Sequence, residues 1–305
     1  MRELNETSKI CPFCHSEQLK SFSAYAWDSP VDTRVSVIEC CSCRFAWQHP
    51  TIRSATQSTS VFEDLYKDQG RTASKYFDPV RKMEIAKLEL DFISELPCAN
   101  RSLLDIGAGS GQFAKVAAKA GWHVVAVDPA LDPAKITDRV GSLQFVQGTT
   151  DDLLGDQKYD VVTLWDVIEH AVKPIELIET AKRFVKPNGW LVLETGNYES
   201  ADRLLAGERH WIYQLDHRWY FTPSSIYRIV DNFGLKDIRF CKKVLRPGWS
   251  GSLLYQGPSL KYLAKMLLTR KTPISESIST YLSLRTARKW SMGGLGILAI
   301  AARCP

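Results

Sequence analysis

The sequence predicts an α/β fold, a sheet with helices on both faces, preceded by a small cysteine-clipped module. Three observations predict it. Between about residues 78 and 245, apolar runs of strand length alternate with amphipathic segments of helix length, the mark of parallel strands joined by crossover helices. One such strand ends in an acid and then glycines at alternate positions, LLDIGAGSG over residues 103–111, where the chain must turn tightly. Five of the eight cysteines stand before residue 45.

A chain of 305 residues can build one large domain and a small accessory module. Its 39 Lys and Arg against 34 Asp and Glu leave a net charge of +5, mildly favouring anionic partners. The start, MRELNETSKICPFC, lacks the apolar core of a signal peptide, and the late stretch Leu295 to Ala302 is too short to cross a bilayer. A cytoplasmic protein is expected.

In chain order, the first element is residues 1–50. Cys11-Pro-Phe-Cys14 and Cys40-Cys-Ser-Cys43 are two C-x-x-C knuckles separated by strand-like sequence, RVSVIE at 34–39. Two such turns can each present a pair of thiolates to one tetrahedral zinc, so Cys11, Cys14, Cys40 and Cys43 are the expected ligands of a structural Zn2+. Cys41 sits between knuckle positions. A closed four-thiolate site has no open coordination position and does no chemistry. A zinc ribbon can also touch nucleic acid, but this one lacks a dense basic and aromatic face, and no DNA partner is expected.

Residues 51–100 read as a linker and N-terminal helices. Met83, Ile85, Leu88, Phe92 and Ile93 space an amphipathic helix over Asp78 to Leu96, ended by Pro97. The main domain, 101–305, opens with the strand Ser102 to Ile106, the turn Gly107 to Gly111, the helix Gln112 to Ala120, and the strand His123 to Val127 with Asp128 at its end. A dinucleotide site wants G-x-G-x-x-G, and here Gln112 stands where the third glycine belongs. Asp105, at the tip of the first strand, would repel a pyrophosphate but suits a ligand carrying an ammonium or sulfonium group. The cofactor this points to is S-adenosylmethionine.

The remaining elements keep the alternation. Leu143 to Gly148 is a strand followed by the turn Thr149 to Leu153; Tyr159 to Trp165 is a buried strand running into Asp166-Val-Ile-Glu-His170. A helix over Pro174 to Phe184, a turn at Lys186 to Gly189 and a strand from Trp190 to Glu194 come next, then a helix from Thr222 to about Phe233 and a strand from Leu235 to Val244. Gly296 to Ala302 is the last strand. Before it lies a helical insertion at about 246–292, with helices at 259–270 and 274–290. The first is basic and amphipathic, as in helices that lie on anionic membranes, lids or dimer faces. Peripheral membrane contact through residues 256–290 is therefore one expectation, and it would suit a lipid-linked substrate.

The segments LDIGAGSG, VVAVDP, GTTDDL, YDVVTLWDVIEH and KPNGWLVLETGN, in that order, resemble the class I S-adenosylmethionine-dependent methyltransferases over about residues 75–245 plus the last strand. The resemblance implies a Rossmann-like sheet with helices on both faces. It places Asp105, Gly107 and Gly109 along the methionine part of the cofactor, with Gly111 allowing close approach of the loop. Asp128 takes the ribose hydroxyls, Thr150 and Asp151 meet adenine, and Trp165 and Asp166 line the methionine and transfer side. With its knuckles, CSCRFAWQHP and VFEDLYKDQG, the chain also resembles zinc-ribbon methyltransferases of bacterial sugar, polysaccharide and natural-product pathways. It is too short to hold the further C-terminal domain of the larger sugar C-methyltransferases.

Methyl transfer from a sulfonium needs alignment and, for a hydroxyl acceptor, a base. Residues 197–222 are dense in His, Trp and Tyr for a loop. His217 matches the histidine of the H-x-W-Y-F-[TS]-P pattern of these relatives and is the candidate base or orienter, against a structural cap role, with Asp216 placed to polarise it. His210, Tyr213 and Tyr220 are pocket candidates. Asp166, Glu169 and His170 spell D-x-x-E-H, a turn of potential metal ligands as in metal-assisted members of the class, or a locally packed turn. The expected reaction is methyl transfer to a small-molecule or glycan acceptor, at a hydroxyl of a sugar or of a lipid- or nucleotide-linked glycan intermediate. An RNA methyltransferase has only ribbon and charge for it, since WDVI stands where a base-stacking N-P-P-Y would be, and a non-catalytic binding protein of the same fold is the third reading. The sequence is silent on oligomeric state.

Overall fold

The computed structural model describes residues 10–27, 33–49, 79–131, 141–153, 155–241 and 297–305. Its main sheet contains β4 (Ser102–Ile106), β5 (His123–Asp128), β6 (Leu143–Gln147), β7 (Tyr159–Trp165), β8 (Val185–Gly196), β10 (Lys236–Phe240) and β11 (Ile297–Arg303), in the order β10-β11-β8-β7-β4-β5-β6. The five strands from β4 to β8 pair in parallel. Two-residue periodicity sorts their side chains into two buried faces. Leu104, Val162, Leu164, Leu191 and Leu193 face one way, and Leu103, Val161, Trp190 and Val192 the other. The first face is covered by α3 (Pro174–Arg183) through Ile178 and Ala181 and by α5 (Pro223–Asn232) through Ile226, Ile229 and Val230. The second is covered by α1 (Pro79–Ser94) through Phe92 and Ile93, and by α2 (Gln112–Lys119) through Phe113, Ala114 and Ala117.

Two features depart from the sequence expectation. β11 runs antiparallel to both β8 and β10, so the sheet is mixed. Ala299 to Ala302 are all buried, and a strand buried on both sides carries no periodicity that distinguishes parallel from antiparallel pairing. The expected turn at Lys186 to Gly189 is absorbed into β8 as an irregularity: Val185 pairs with Tyr159, the next partners are Trp190 and Val161, and Asn188 holds φ at 63° while its N–H donates to the Cys304 carbonyl. The insertion helices expected within 246–292, and the membrane contact assigned to 256–290, lie outside the described residues, as does most of the 51–100 linker.

A second sheet is built from β1 (Leu19–Tyr25), β2 (Arg34–Cys40), β3 (Ala46–Gln48) and β9 (Trp219–Tyr220), all antiparallel. Its fourth strand comes from the loop beyond β8, after α4 (Ala201–Ala206). The cysteine module is therefore continuous by backbone hydrogen bonds with the domain that follows it. Cys11, Cys40, Phe45 and Trp47 belong to the same apolar cluster as Leu164, Ile168, Trp219 and Phe221. No helix among the described residues is long and apolar enough to cross a membrane.

Candidate active site

The turn after β4 explains each of its glycines. Gly107, Gly109 and Gly111 all hold positive φ, 75°, 54° and 70°. A Cβ on Gly107 would lie 2.5 Å from a Val167 methyl, and one on Gly111 2.4 Å from the Phe145 ring, so these two are glycines because the loop is packed from below. Gly109 is different: among the described residues a Cβ there would meet nothing within 4 Å. It is held as glycine by its left-handed backbone and not by packing against the described residues.

Asp105 lies under this turn, 2% exposed, with Thr163 Oγ1 donating to its Oδ1 at 2.9 Å. Burial pushes its carboxyl up to about 7, against the Thr163 hydrogen bond and with help from the neighbouring Asp128 charge. A buried acid of this kind regains its ordinary ionisation beside a cation, which is the charge type an ammonium- or sulfonium-bearing ligand brings. Asp128, at the end of β5, accepts from the Gly109 N–H at 2.8 Å through Oδ2 and from the Ala130 N–H at 2.7 Å through Oδ1. The carboxylate is thus locked to the loop and half-exposed. The turn Thr150–Asp152 follows β6 and is closed by a capping box, the Thr149 hydroxyl accepting from the Asp151 N–H and Asp152 Oδ2 accepting from the Thr149 N–H at 2.8 Å. Asp152 is the residue sequence reading missed there, while Asp151 points to solvent beside the half-buried Thr150.

Trp165 ends β7 with its ring set edge-on to Phe113, 5.2 Å between centroids, and its buried indole N–H has no hydrogen-bond partner among the described residues. Asp166 follows at φ 51°, a left-handed conformation unusual outside glycine, with an exposed side chain. Beyond it Glu169, His170 and His217 meet, one ligating atom of each within 4.8 Å of the others. Asp166 is not a member of that cluster, but its charge raises both Glu169 and His170.

The electrostatics of the three differ. Burial pushes Glu169 up to about 7, the Asp166 charge adding to it and His170 and Thr195 opposing it; its Oε2 has no hydrogen-bond partner among the described residues. Burial would lower His170, but the carboxylates of Asp216, Glu169 and Asp166 outweigh that and raise it. His217, 5% exposed, is driven down to about 4 by burial and by the charge of His170, whose ring meets it edge-on at 4.8 Å. His217 Nδ1 lies 2.8 Å from the Ile212 carbonyl and must donate to it, leaving Nε2 as a neutral acceptor.

Three expectations are corrected here. Asp216 makes its contacts to His170, Nδ1 to Oδ2 at 3.4 Å and Nδ1 to the Asp216 carbonyl at 3.2 Å, and reaches His217 through its charge, which opposes the fall of that imidazole. Tyr213 and Tyr220 are not pocket lining; with Tyr198 they fill a core against Ala24, Val35 and Val37 of the N-terminal sheet. His210 is buried, its Nδ1 accepting from the Ile212 N–H at 3.3 Å.

In the N-terminal module Cys11 and Cys43 sulfurs lie 3.6 Å apart and those of Cys14 and Cys40 3.5 Å, all four within 4.8 Å. A tetrahedral zinc with Zn–S bonds of about 2.3 Å sets its sulfurs about 3.8 Å apart, so the donor set fits that ion. The Cys43 thiol, against burial and with help from the N–H groups of Cys14 and Phe13 that point at Cys11 Sγ at 3.5 and 3.4 Å, holds Cys11 down to about 5. Cys41 is exposed and outside the cluster.

A parallel-centred sheet, a glycine turn over a buried acid, a second acid at the end of the next strand and a capped turn after the strand beyond it together define an S-adenosylmethionine-dependent methyltransferase of the class I type. The chain belongs to the methyltransferase-domain family, whose model matches residues 80–239. It is similar to the ubiquinone biosynthesis O-methyltransferase of Cereibacter sphaeroides, 26% identical over 200 residues, 61% of this chain and 81% of that protein. The enzyme of the same description from Ruegeria pomeroyi is 27% identical over 207 residues, 63% and 84% of the two chains. Among solved structures, the 1,6-didemethyltoxoflavin-N1-methyltransferase of Burkholderia thailandensis, with bound S-adenosylhomocysteine, shares the fold at TM-score 0.51 and 15% identity, covering 90% of this chain and 98% of that one.

Proposed function

We propose that the protein transfers a methyl group to a hydroxyl oxygen of a small-molecule or glycan acceptor, with Glu169, His170 and His217 as the proton-handling cluster. The observation that carries this reading is the cluster itself: a buried carboxylate, one oxygen of which has no partner among the described residues, beside two imidazoles, at the carboxyl end of β7, next to the strand whose turn holds the glycines. Open α/β sheets bind their ligands outside the carboxyl ends of the strands, at such a switch of direction. S-adenosylmethionine supplies the methyl group. Asp105 and Asp128 bind and orient its methionine and ribose parts, Gly109 leaves the room for it, and Thr150 and Asp151 border its adenine.

His217, neutral with its proton fixed on Nδ1, offers Nε2 to an acceptor hydroxyl; Glu169, which titrates near neutrality, is the group able to take the proton onward. The same two imidazoles and carboxylate would also suit a divalent cation, which would activate the hydroxyl by lowering its pKa. The likeness to O-methyltransferases supports oxygen as the accepting atom. A structural zinc on Cys11, Cys14, Cys40 and Cys43 completes the reading.

The test is transfer of labelled methyl to a panel of nucleotide sugars, lipid-linked glycans, phenols and RNA. Label on a hydroxyl of one non-RNA class is expected. Glu169→Gln and His217→Gln should each lower kcat by roughly 10²–10⁴-fold with cofactor affinity kept. Label in RNA alone, or variants as fast as wild type, would remove this reading, and activity lost to a chelator that leaves the ribbon zinc in place would assign the cluster to a cation.

A further inference from the structure

The N-terminal ribbon touches the methyltransferase domain at the segment that carries His217. On one side of that segment, β3 pairs with β9, Ala46 opposite Tyr220 and Trp47 opposite Trp219. The Gln48 N–H donates to the Arg218 carbonyl at 2.9 Å, and its side-chain amide donates to the Gln214 carbonyl and to the Tyr220 hydroxyl, so one residue clasps the segment before and after His217. On the other side, the N–H groups of Arg218 and Trp219 donate to the Glu169 carbonyl at 2.8 and 3.2 Å, and the Trp219 indole donates to the Ala171 carbonyl at 2.6 Å. His217 is thus held in a strap gripped by the ribbon and by the turn that bears Glu169 and His170.

The cysteine knuckles reach the same strap through aromatic rings. Phe13, between Cys11 and Cys14, stacks on Phe45, two residues past Cys43, at 5.4 Å; Phe45 stacks on Trp219 at 6.0 Å and meets Phe221 edge-on at 5.5 Å. The Phe45 carbonyl accepts from the Cys40 N–H at 2.9 Å, so its backbone is set by the second knuckle. A stack of this length with nearly parallel rings transmits the geometry of the two knuckles to the Trp219 ring by hard contact, because close-packed aromatic rings deform little.

We propose that the ribbon is a positioning element of the methyl-transfer site: with Gln48 and Phe45 as its positioning residues, it fixes the place and tautomer of His217 and the orientation of the Glu169–His170 turn, and zinc on the four cysteines keeps that grip closed. This rests on the reading of the cluster as proton-handling. None of these contacts involves the glycine turn or Asp128, so donor binding is independent of the ribbon. The ribbon's work falls on the transfer step alone.

The experiment uses the full-length, zinc-loaded chain labelled with 15N-histidine. The Nδ1–H of His217 gives a hydrogen-bonded imidazole resonance, followed beside zinc content and calorimetric titration of S-adenosylmethionine in wild type, Gln48→Ala, Phe45→Leu and protein stripped of zinc by a chelator. The expected result is donor affinity within about twofold of wild type in all four. The His217 Nδ1 proton should exchange with solvent about tenfold faster in the two variants, the factor that losing about 1.4 kcal/mol of local hydrogen bonding gives. It should be lost in the stripped protein. An unchanged His217 resonance in the variants and the stripped protein overturns the proposal, as does donor affinity that falls in step with zinc. Wild type that binds no donor would count against the donor site instead, and a shifted His217 resonance in an enzyme inactive on every hydroxyl acceptor would leave the positioning intact and remove the acceptor reading.

Discussion

Asp105→Asn isolates the stability that the site gives up for its ligand. Burial lifts this carboxyl from an ordinary 3.8 to about 7, so between those values the folded protein holds a proton that the unfolded chain has released. For an acid with a raised folded pKa, stability is greatest below about pH 4, falls as the pH climbs, and is flat above about 7. At about 1.4 kcal/mol for each pH unit, the loss approaches 4 kcal/mol at pH 8 and about half of that has accrued by pH 5.5. Asparagine keeps an oxygen for the Thr163 hydroxyl and carries no charge. In urea denaturation the stability of Asp105→Asn relative to wild type should therefore rise by about 2 kcal/mol between pH 5.5 and 8, whatever the constant offset of the substitution. Donor binding should fail in the same variant. In wild type at pH 6, binding should release up to about one proton, read by calorimetry in buffers of different ionisation enthalpy. A stability difference that does not vary with pH, or binding at pH 6 without proton release, would refute the account.

Further outcomes follow from individual side chains. Gly111→Ala should lose roughly 2–5 kcal/mol, from a left-handed backbone and a Cβ driven into Phe145, whereas Gly109→Ala should lose only about 1–2 kcal/mol yet weaken donor binding at least about tenfold; thermal unfolding and calorimetry separate the two. His217 is depressed to about 4, so its share of stability is complete above pH 6.5 and is lost as the pH falls; His217→Leu should remove about 2 kcal/mol of the difference in stability between pH 7 and pH 5, measured by urea denaturation. Asp152→Ala opens the capping box and should cost about 1 kcal/mol, with weaker binding of the adenine end detected by titrating adenosine alone. Cys14→Ser should lose bound zinc, measured by mass spectrometry, and lower the melting temperature.

The strands and helices around the glycine turn were legible because their signals are local. Asp105, the three glycines and Asp128 fall within a stretch of 24 residues that runs from strand through turn and helix to strand, and each is a residue type its position demands. What escaped the sequence came from contacts across long separations. Thr163 reaches Asp105 from 58 residues away, and Gln48 reaches Tyr220 from 172. Asp216, next to His217 in the chain, turned out to serve His170, 46 residues back, because the segment crosses the turn after β7 with its carbonyl and carboxylate toward that ring. The tyrosines near His217 looked like pocket lining only because nothing in the sequence announced that β1, β2 and β3 would pack on them.

The two buried acids at the carboxyl ends of neighbouring strands serve different ligands. Asp105 and Glu169 are each lifted to about 7 by burial, but their neighbours differ: Asp105 has the like charge of Asp128 beside it, while Glu169 has the opposing charge of His170 as well as Asp166. A cationic donor bound over the glycine turn therefore discharges the proton of Asp105 and leaves Glu169, set among His170, His217 and Asp166, to titrate with that cluster and independently of the donor side. The pH dependence of donor binding should then track Asp105, rising through neutrality as the carboxylate forms. That of the transfer step in the donor-saturated enzyme should follow the coupled Glu169–His170 pair, with Glu169→Gln removing its acidic limb and leaving the binding profile unchanged. If a single ionisation governed both profiles, the two acids would not have separate tasks, and the division between a donor side at β4 and an acceptor side beyond β7 would have to be abandoned.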